Sequence, residues 1–136
     1  MKLGFLTACM PRRSLAEVCA WARSNDFEAL EVAAWPDLGD RPFTATHLVA
    51  DGFGAGEAES IRQLFADHDL IGSSLAYYDN NLHPDPDTRA AVNDHVRKCI
   101  DAASLLGCPT VGTFVGRDPT RSVADNLRNA EAVFRP

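Results

Sequence analysis

A parallel α/β fold is what this sequence predicts, and three observations predict it. Four short segments, 2–7, 27–33, 71–78 and 110–115, are apolar almost throughout. Each is followed by a stretch whose apolar residues recur at helical spacing. None of the four segments shows the sustained polar alternation of a sheet with one wet face, so the strands belong to a sheet covered by helices. The order is strand then helix, four times over. Two architectures satisfy that order. One is an open doubly wound sheet; the other is four of the eight units of a (β/α)8 barrel, whose usual length is about 250 residues. The 136 residues are enough for one core, so the chain reads as a single domain, 1–136.

Lys2 to Thr7 opens as the first strand. Ser14 can cap the helix that follows, with Glu17 three residues on completing a capping box. Leu15, Val18, Cys19 and Ala22 form its apolar stripe, and the helix stops near Ser24-Asn25-Asp26. The second strand runs from Phe27 to Ala33 and is closed by Trp35-Pro36, because the residue before proline is pushed toward extended geometry. An irregular stretch from Asp37 to Gly56, containing Pro42, leads to a second helix over Glu57–His68 with Ile61, Leu64 and Phe65 inward. The third strand is Ile71–Tyr78, and a polar loop, Asp79–Asp87, leads into a long helix ending at Leu106. Val92, Val96, Cys99, Ile100 and Ala103 make the predicted buried stripe of that helix, Asp94 and Lys98 an exposed pair on it. Gly107 stands where a C-cap glycine belongs. Thr110–Val115 is the fourth strand and Ser122–Phe134 the fourth helix, with Val123, Leu127, Ala130 and Phe134 predicted inward.

A net charge of -6 without a basic cluster argues against nucleic acid as a partner. No apolar run reaches the length of a bilayer span and no signal peptide is recognisable, so the expected location is the cytoplasm, away from membranes. Cys9, Cys19, Cys99 and Cys108 show no Cys-x-x-Cys spacing, and Cys19 and Cys99 fall on apolar helix faces as buried thiols.

In strand–helix chains the loops after the strands meet ligands, because the sheet fixes them without burying them. The loop after the third strand is the richest in polar side chains, and His83, flanked by Asn80, Asn81 and Asp85, is its leading candidate. His47 lies in another loop; His68 and His95 sit beside apolar stripes and read as packing or capping residues. Glu31 interrupts an apolar strand, so its carboxylate belongs either to an ion pair or to a pocket, with the pocket favoured. Asp118 and Arg117 follow the fourth strand and suit a polar ligand, although Asp118-Pro119 is also an ordinary turn. Gly52-Phe53-Gly54-Ala55-Gly56 does not follow a strand directly, which removes the context a phosphate cradle needs and leaves a flexible loop.

Three strings carry a family resemblance: Thr46-His47-Leu48-Val49-Ala50-Asp51, the run from Ser73 through Tyr78-Asp79-Asn80-Asn81-Leu82-His83 to Asp85, and Gly112-Thr113-Phe114-Val115-Gly116-Arg117-Asp118-Pro119. In this order they resemble the sugar phosphate isomerase/epimerase family of xylose isomerase-like TIM barrels, which also include endonuclease IV. The resemblance implies a (β/α)4 half of a TIM barrel, the N-terminal one. It implies an isomerase or epimerase of a sugar or sugar phosphate, working by metal-assisted proton transfer next to a carbonyl. The divalent metal of such enzymes (Mn, Mg, Co or Zn) sits on later strands, which the resemblance would place after Pro136, so none is expected on these residues. The substrate-facing residues it carries over are Tyr78, Asn81 and His83 after the third strand and Phe114 and Asp118 after the fourth, with Glu31 added from the strand pattern. It also implies association, either with a second copy or with a C-terminal half. Two other readings are kept: a metal-dependent phosphodiesterase of the endonuclease IV kind, and a non-catalytic half-barrel that only binds or assembles.

Overall fold

The structure, a computed structural model, describes residues 1–37, 39 and 44–135. Residues 38 and 40–43 of the irregular stretch, Pro42 among them, and Pro136 lie outside the described residues. The predicted alternation is present. It runs β1 (Gly4–Leu6), α1 (Leu15–Ser24), β2 (Ala29–Ala33), α2 (Ala55–Asp67), β3 (Ile71–Asn80), α3 (Pro86–Leu106), β4 (Val111–Phe114) and α4 (Val123–Phe134). A single 3-10 turn, Thr7–Cys9, takes the chain out of β1.

All strand pairs are parallel, and the four strands stand in chain order, β1-β2-β3-β4. A doubly wound sheet reverses direction at a switch point; this one never does. Each crossover therefore advances by one strand in the same sense, and consecutive helices, α1 with α2 and α2 with α3, lie side by side. That is the winding of half a TIM barrel, which decides between the two architectures.

Strand alternation divides the sheet into two faces. Leu30, Val32 and Leu75 are sealed on the helix side among Val18, Cys19, Ala22, Val92, Val96 and Cys99. The stripe of α1 is buried as its spacing requires, and Ser14 with Glu17 closes the capping box. Gly107 ends α3 in the left-handed conformation at φ 75°. The glycine-rich segment is more ordered than a loop: Gly54 caps α2, its N–H donating to Glu57 Oε2 at 3.1 Å, and Ala55 and Gly56 form the first turn. Burial pushes the thiol of Cys19 up to about 11 and that of Cys99 up to about 12, so both are inert packing groups.

Two inward assignments fail. Ile100 is half exposed while Ala102 and Leu106 are buried, so the buried stripe of α3 is rotated toward its C-terminal small residues. Helix α4 buries none of its residues, and Val123, Leu127 and Phe134 are exposed. The reason is the width of sheet available: β4 is four residues long and is the last strand, so no described strand lies beyond it for α4 to cover.

Candidate functional site

On the sheet face away from the helices, the carboxyl ends of β2, β3 and β4 bring three of the predicted residues together. The Tyr78 hydroxyl donates to Glu31 Oε1 at 2.5 Å. Phe114 packs against Tyr78 with ring centroids 4.9 Å apart and the planes tilted by 40°, and the Trp35 ring stands 6.0 Å from that of Tyr78. The pairing register explains the meeting. Glu31 lies opposite Ser74 and Ala76 opposite Gly112, so Tyr78, two residues past Ala76, shares their face. A β-bulge between Leu30 and Glu31 adds one residue to β3 here, the device that re-aims a strand side chain. Burial, then the bond to Glu31, pushes the Tyr78 phenol up to about 12, so it stays a neutral donor.

Gly112 makes room for this arrangement. A Cβ at that position would overlap the Tyr78 hydroxyl and lie 3.0 Å from Glu31 Oε1. Sequence reasoning passed over Gly112 as a site residue, although a glycine inside a strand marks the close approach of another group. It also passed over Trp35, which is 3 % exposed and whose indole N–H has no acceptor among the described residues. A buried donor of this kind calls for an acceptor.

The other predicted residues serve the loops. Asn81 is 1 % exposed; its amide donates to Phe114 O at 2.6 Å and Thr113 Oγ1 at 3.0 Å, and its Oδ1 accepts from Asn93 at 2.8 Å. It thereby ties the loop after β3 to β4 and to α3. Asp118 is also buried. Its Oδ1 accepts from the Thr120 N–H and hydroxyl and its Oδ2 from Arg121, and the Thr120 bonds above all hold the carboxyl below the usual carboxylate range. His83 accepts the Asp85 N–H at Nδ1 and makes no hydrogen bond or ring contact with Glu31, Tyr78 or Phe114. His68 caps α2 and His95 bonds the Ala34 carbonyl at 2.7 Å beside Tyr77.

His47 joins two loops at the same end of the sheet. Its Nε2 faces the Arg13 carbonyl at 2.9 Å and so carries the proton, which leaves Nδ1 to accept from the Thr7 hydroxyl, also at 2.9 Å. Thr7 Oγ1 in turn accepts the Ala33 N–H. This chain of bonds suits a neutral ring, and burial pulls the His47 pKa below its ordinary value. The unfolded chain therefore binds a proton at this residue before the folded one does, and stability falls as pH drops from about 6.5 through the lower folded value. Thermal unfolding at pH 5 is expected at a lower temperature than at pH 7.5, with the difference reduced in His47→Gln.

Among the described residues no group of three or more His, Cys, Asp or Glu comes together, so these side chains do not by themselves fit a divalent metal. No described helix is long and apolar enough to cross a membrane.

A singly wound parallel sheet with its polar and aromatic cluster at the strand carboxyl ends defines a TIM-barrel type of protein, here as four of eight units. The chain belongs to the xylose isomerase-like TIM barrel family, whose model matches residues 19–136. Among curated proteins none matches the sequence. Among solved structures the chain is similar to D-psicose 3-epimerase determined in the presence of D-fructose, with 16 % identity and a TM-score of 0.65, over 98 % of this chain and 46 % of that one. It is similar to AsbF of Bacillus anthracis, provisionally assigned as a 3-DHS dehydratase of petrobactin synthesis, with 15 % identity and a TM-score of 0.66, over 98 % and 47 %. A protein of Rhodospirillum rubrum provisionally named a xylose isomerase gives 17 % identity and a TM-score of 0.65, over 98 % and 46 %. The chain thus spans about half the length of the solved structures it matches.

Proposed function

We propose that this chain supplies the substrate-binding half of an enzyme that isomerises or epimerises a sugar or sugar phosphate. The observation that carries the reading is the Glu31–Tyr78 pair with the Trp35 and Phe114 rings against its tyrosine at the strand carboxyl ends. A carboxylate accepts two hydroxyl protons at once, and an aromatic face covers the C–H side of a polyol, which is the combination that separates a sugar from water. Phe114 is 58 % exposed, an unusual position for so large an apolar ring unless something lies against it. The Trp35 N–H offers a donor beside the same cluster. Asn81 and Asp118 hold the loops that follow β3 and β4, and His83 lies in the loop after β3.

The related enzymes support sugar chemistry in kind, since one is an epimerase crystallised with a sugar. Proton transfer next to a carbonyl is the reaction class this reading implies for the whole barrel. The described residues offer no metal ligand set, so no step is assigned to a metal here.

Titration of the isotope-labelled chain with D-fructose is expected to shift the amide resonances of Glu31, Trp35, Tyr78 and Phe114. Phe114→Ala is expected to weaken that binding about five- to tenfold, the value of one aromatic contact. Resonances at these positions that stay fixed at high millimolar sugar would sink the reading.

A further inference from the structure

The most informative detail of the site is which atoms it turns toward a ligand. The Tyr78 hydroxyl has one proton, and that proton is given to Glu31 Oε1. What remains on the phenol oxygen is acceptor capacity, and an ionised carboxylate is acceptor only. Neither Arg nor Lys pairs with Glu31 or Tyr78 among the described residues, whose ion pairs all lie elsewhere. The flanking groups, Phe114 and Trp35, are uncharged. The donors beside them are neutral ones, the Ser74 hydroxyl opposite Glu31 in the register and the indole N–H of Trp35. Such a floor accepts hydrogen bonds and repels anions.

This polarity depends on Gly112. A methyl group there would overlap the phenol oxygen and come within 2.9 Å of Tyr78 Cζ and 3.0 Å of Glu31 Oε1. Gly112 lies in β4, opposite Ala76 of β3, so backbone pairing prevents it from moving away. The ring would have to move instead, and its proton would no longer be committed to Glu31.

We infer that Gly112 sets the ligand class of this site: with no side chain there, Tyr78 lies over β4 and gives its proton to Glu31, so the pair selects uncharged polyols over their phosphorylated forms. The inference rests on the sugar-site reading above and narrows it, because a sugar phosphate could not place its phosphate on this floor. Gly112 acts through Tyr78 and is a positioning residue.

Two measurements on the chain test it separately. The first needs no ligand. The ¹³Cζ signal of labelled Tyr78, assigned by its loss in Tyr78→Phe, is expected to stay unionised through pH 11 in the parent protein and to titrate at lower pH in Gly112→Ala. Identical titration in both overturns the role of Gly112. The second compares D-fructose with fructose 6-phosphate and with inorganic phosphate by NMR titration. The parent is expected to bind the uncharged sugar at least about tenfold more tightly than either phosphate. That preference should fall to within about threefold in Gly112→Ala. Equal binding of sugar and phosphate in the parent overturns the selectivity. If neither ligand binds while Tyr78 still titrates earlier in Gly112→Ala, the sugar-site reading falls with the selectivity drawn from it, and the positioning of Tyr78 stands. Should Gly112→Ala fail to fold by far-UV circular dichroism, Glu31→Gln takes its place, since the amide puts a donor on the floor. Its preference for sugar should drop by the same factor, and a preference left unchanged overturns the inference.

Discussion

Asn81→Leu is expected to destabilise the protein by about 3–5 kcal/mol, measured as a loss in the midpoint of urea unfolding at an unchanged m-value. The side chain is among the least exposed in the molecule and its amide meets three partners on two other elements, Thr113 and Phe114 of β4 and Asn93 of α3. A leucine of similar volume keeps the packing but leaves the Phe114 carbonyl, the Thr113 hydroxyl and the Asn93 amide to find new partners, each at a cost of about 1–3 kcal/mol when buried. The same variant separates two roles for this residue. A brace between β3 and β4 moves global stability; a contact made only to a ligand would move affinity and leave the urea midpoint where it was. A midpoint shift corresponding to less than about 1 kcal/mol would remove Asn81 from the frame and return it to the pocket.

Leu75→Ala carries the other large effect, about 3–5 kcal/mol. Leu75 has no exposed surface and lies opposite Val32 on one neighbour and Val111 on the other, at the centre of the sheet face that the helices cover. Strands on both sides hold the backbone in place, so the space left by the truncated side chain cannot close by collapse. Leu75→Met, which nearly conserves volume, is expected to cost less than about 1.5 kcal/mol. Thermal or chemical denaturation of the two variants side by side checks both values. A small loss in the alanine variant would mean that this layer is far looser than its burial indicates.

What the sequence made legible follows from how local each signal is. The capping box at Ser14 and Glu17, the stop at Gly107 and the stripe of α1 are set within one or two turns, and all are found in the structure. Parallel pairing was legible from the apolar strands, but strand order was legible only through the family resemblance, because it depends on contacts between residues some 25 to 45 positions apart. The stripe of α4 was readable as amphipathic, yet burial needs a surface to lie against, which periodicity alone does not report. At the site, Glu31 was conspicuous because a carboxylate interrupts an apolar strand. Its partner was not, since the meeting with Tyr78 is made by register, by a bulge and by the missing side chain of Gly112. Asn81 is the opposite case: an amide in a polar loop looks available to a ligand, and its bonds to Thr113, Phe114 and Asn93 come from the fold and not from any local pattern.

The two loops after β3 and β4 are locked to each other where they meet. Gly116, at φ 75°, sits so close to Asn80 that any side chain would overlap it, while the Asn80 amide holds the Arg117 carbonyl at 2.9 Å and Asn81 holds Phe114. Neither loop can swing outward alone. Slow amide exchange in 80–83 and 114–118 should therefore follow a single shared opening event, with matching dependence on denaturant, so that this part of the rim behaves as one rigid jaw.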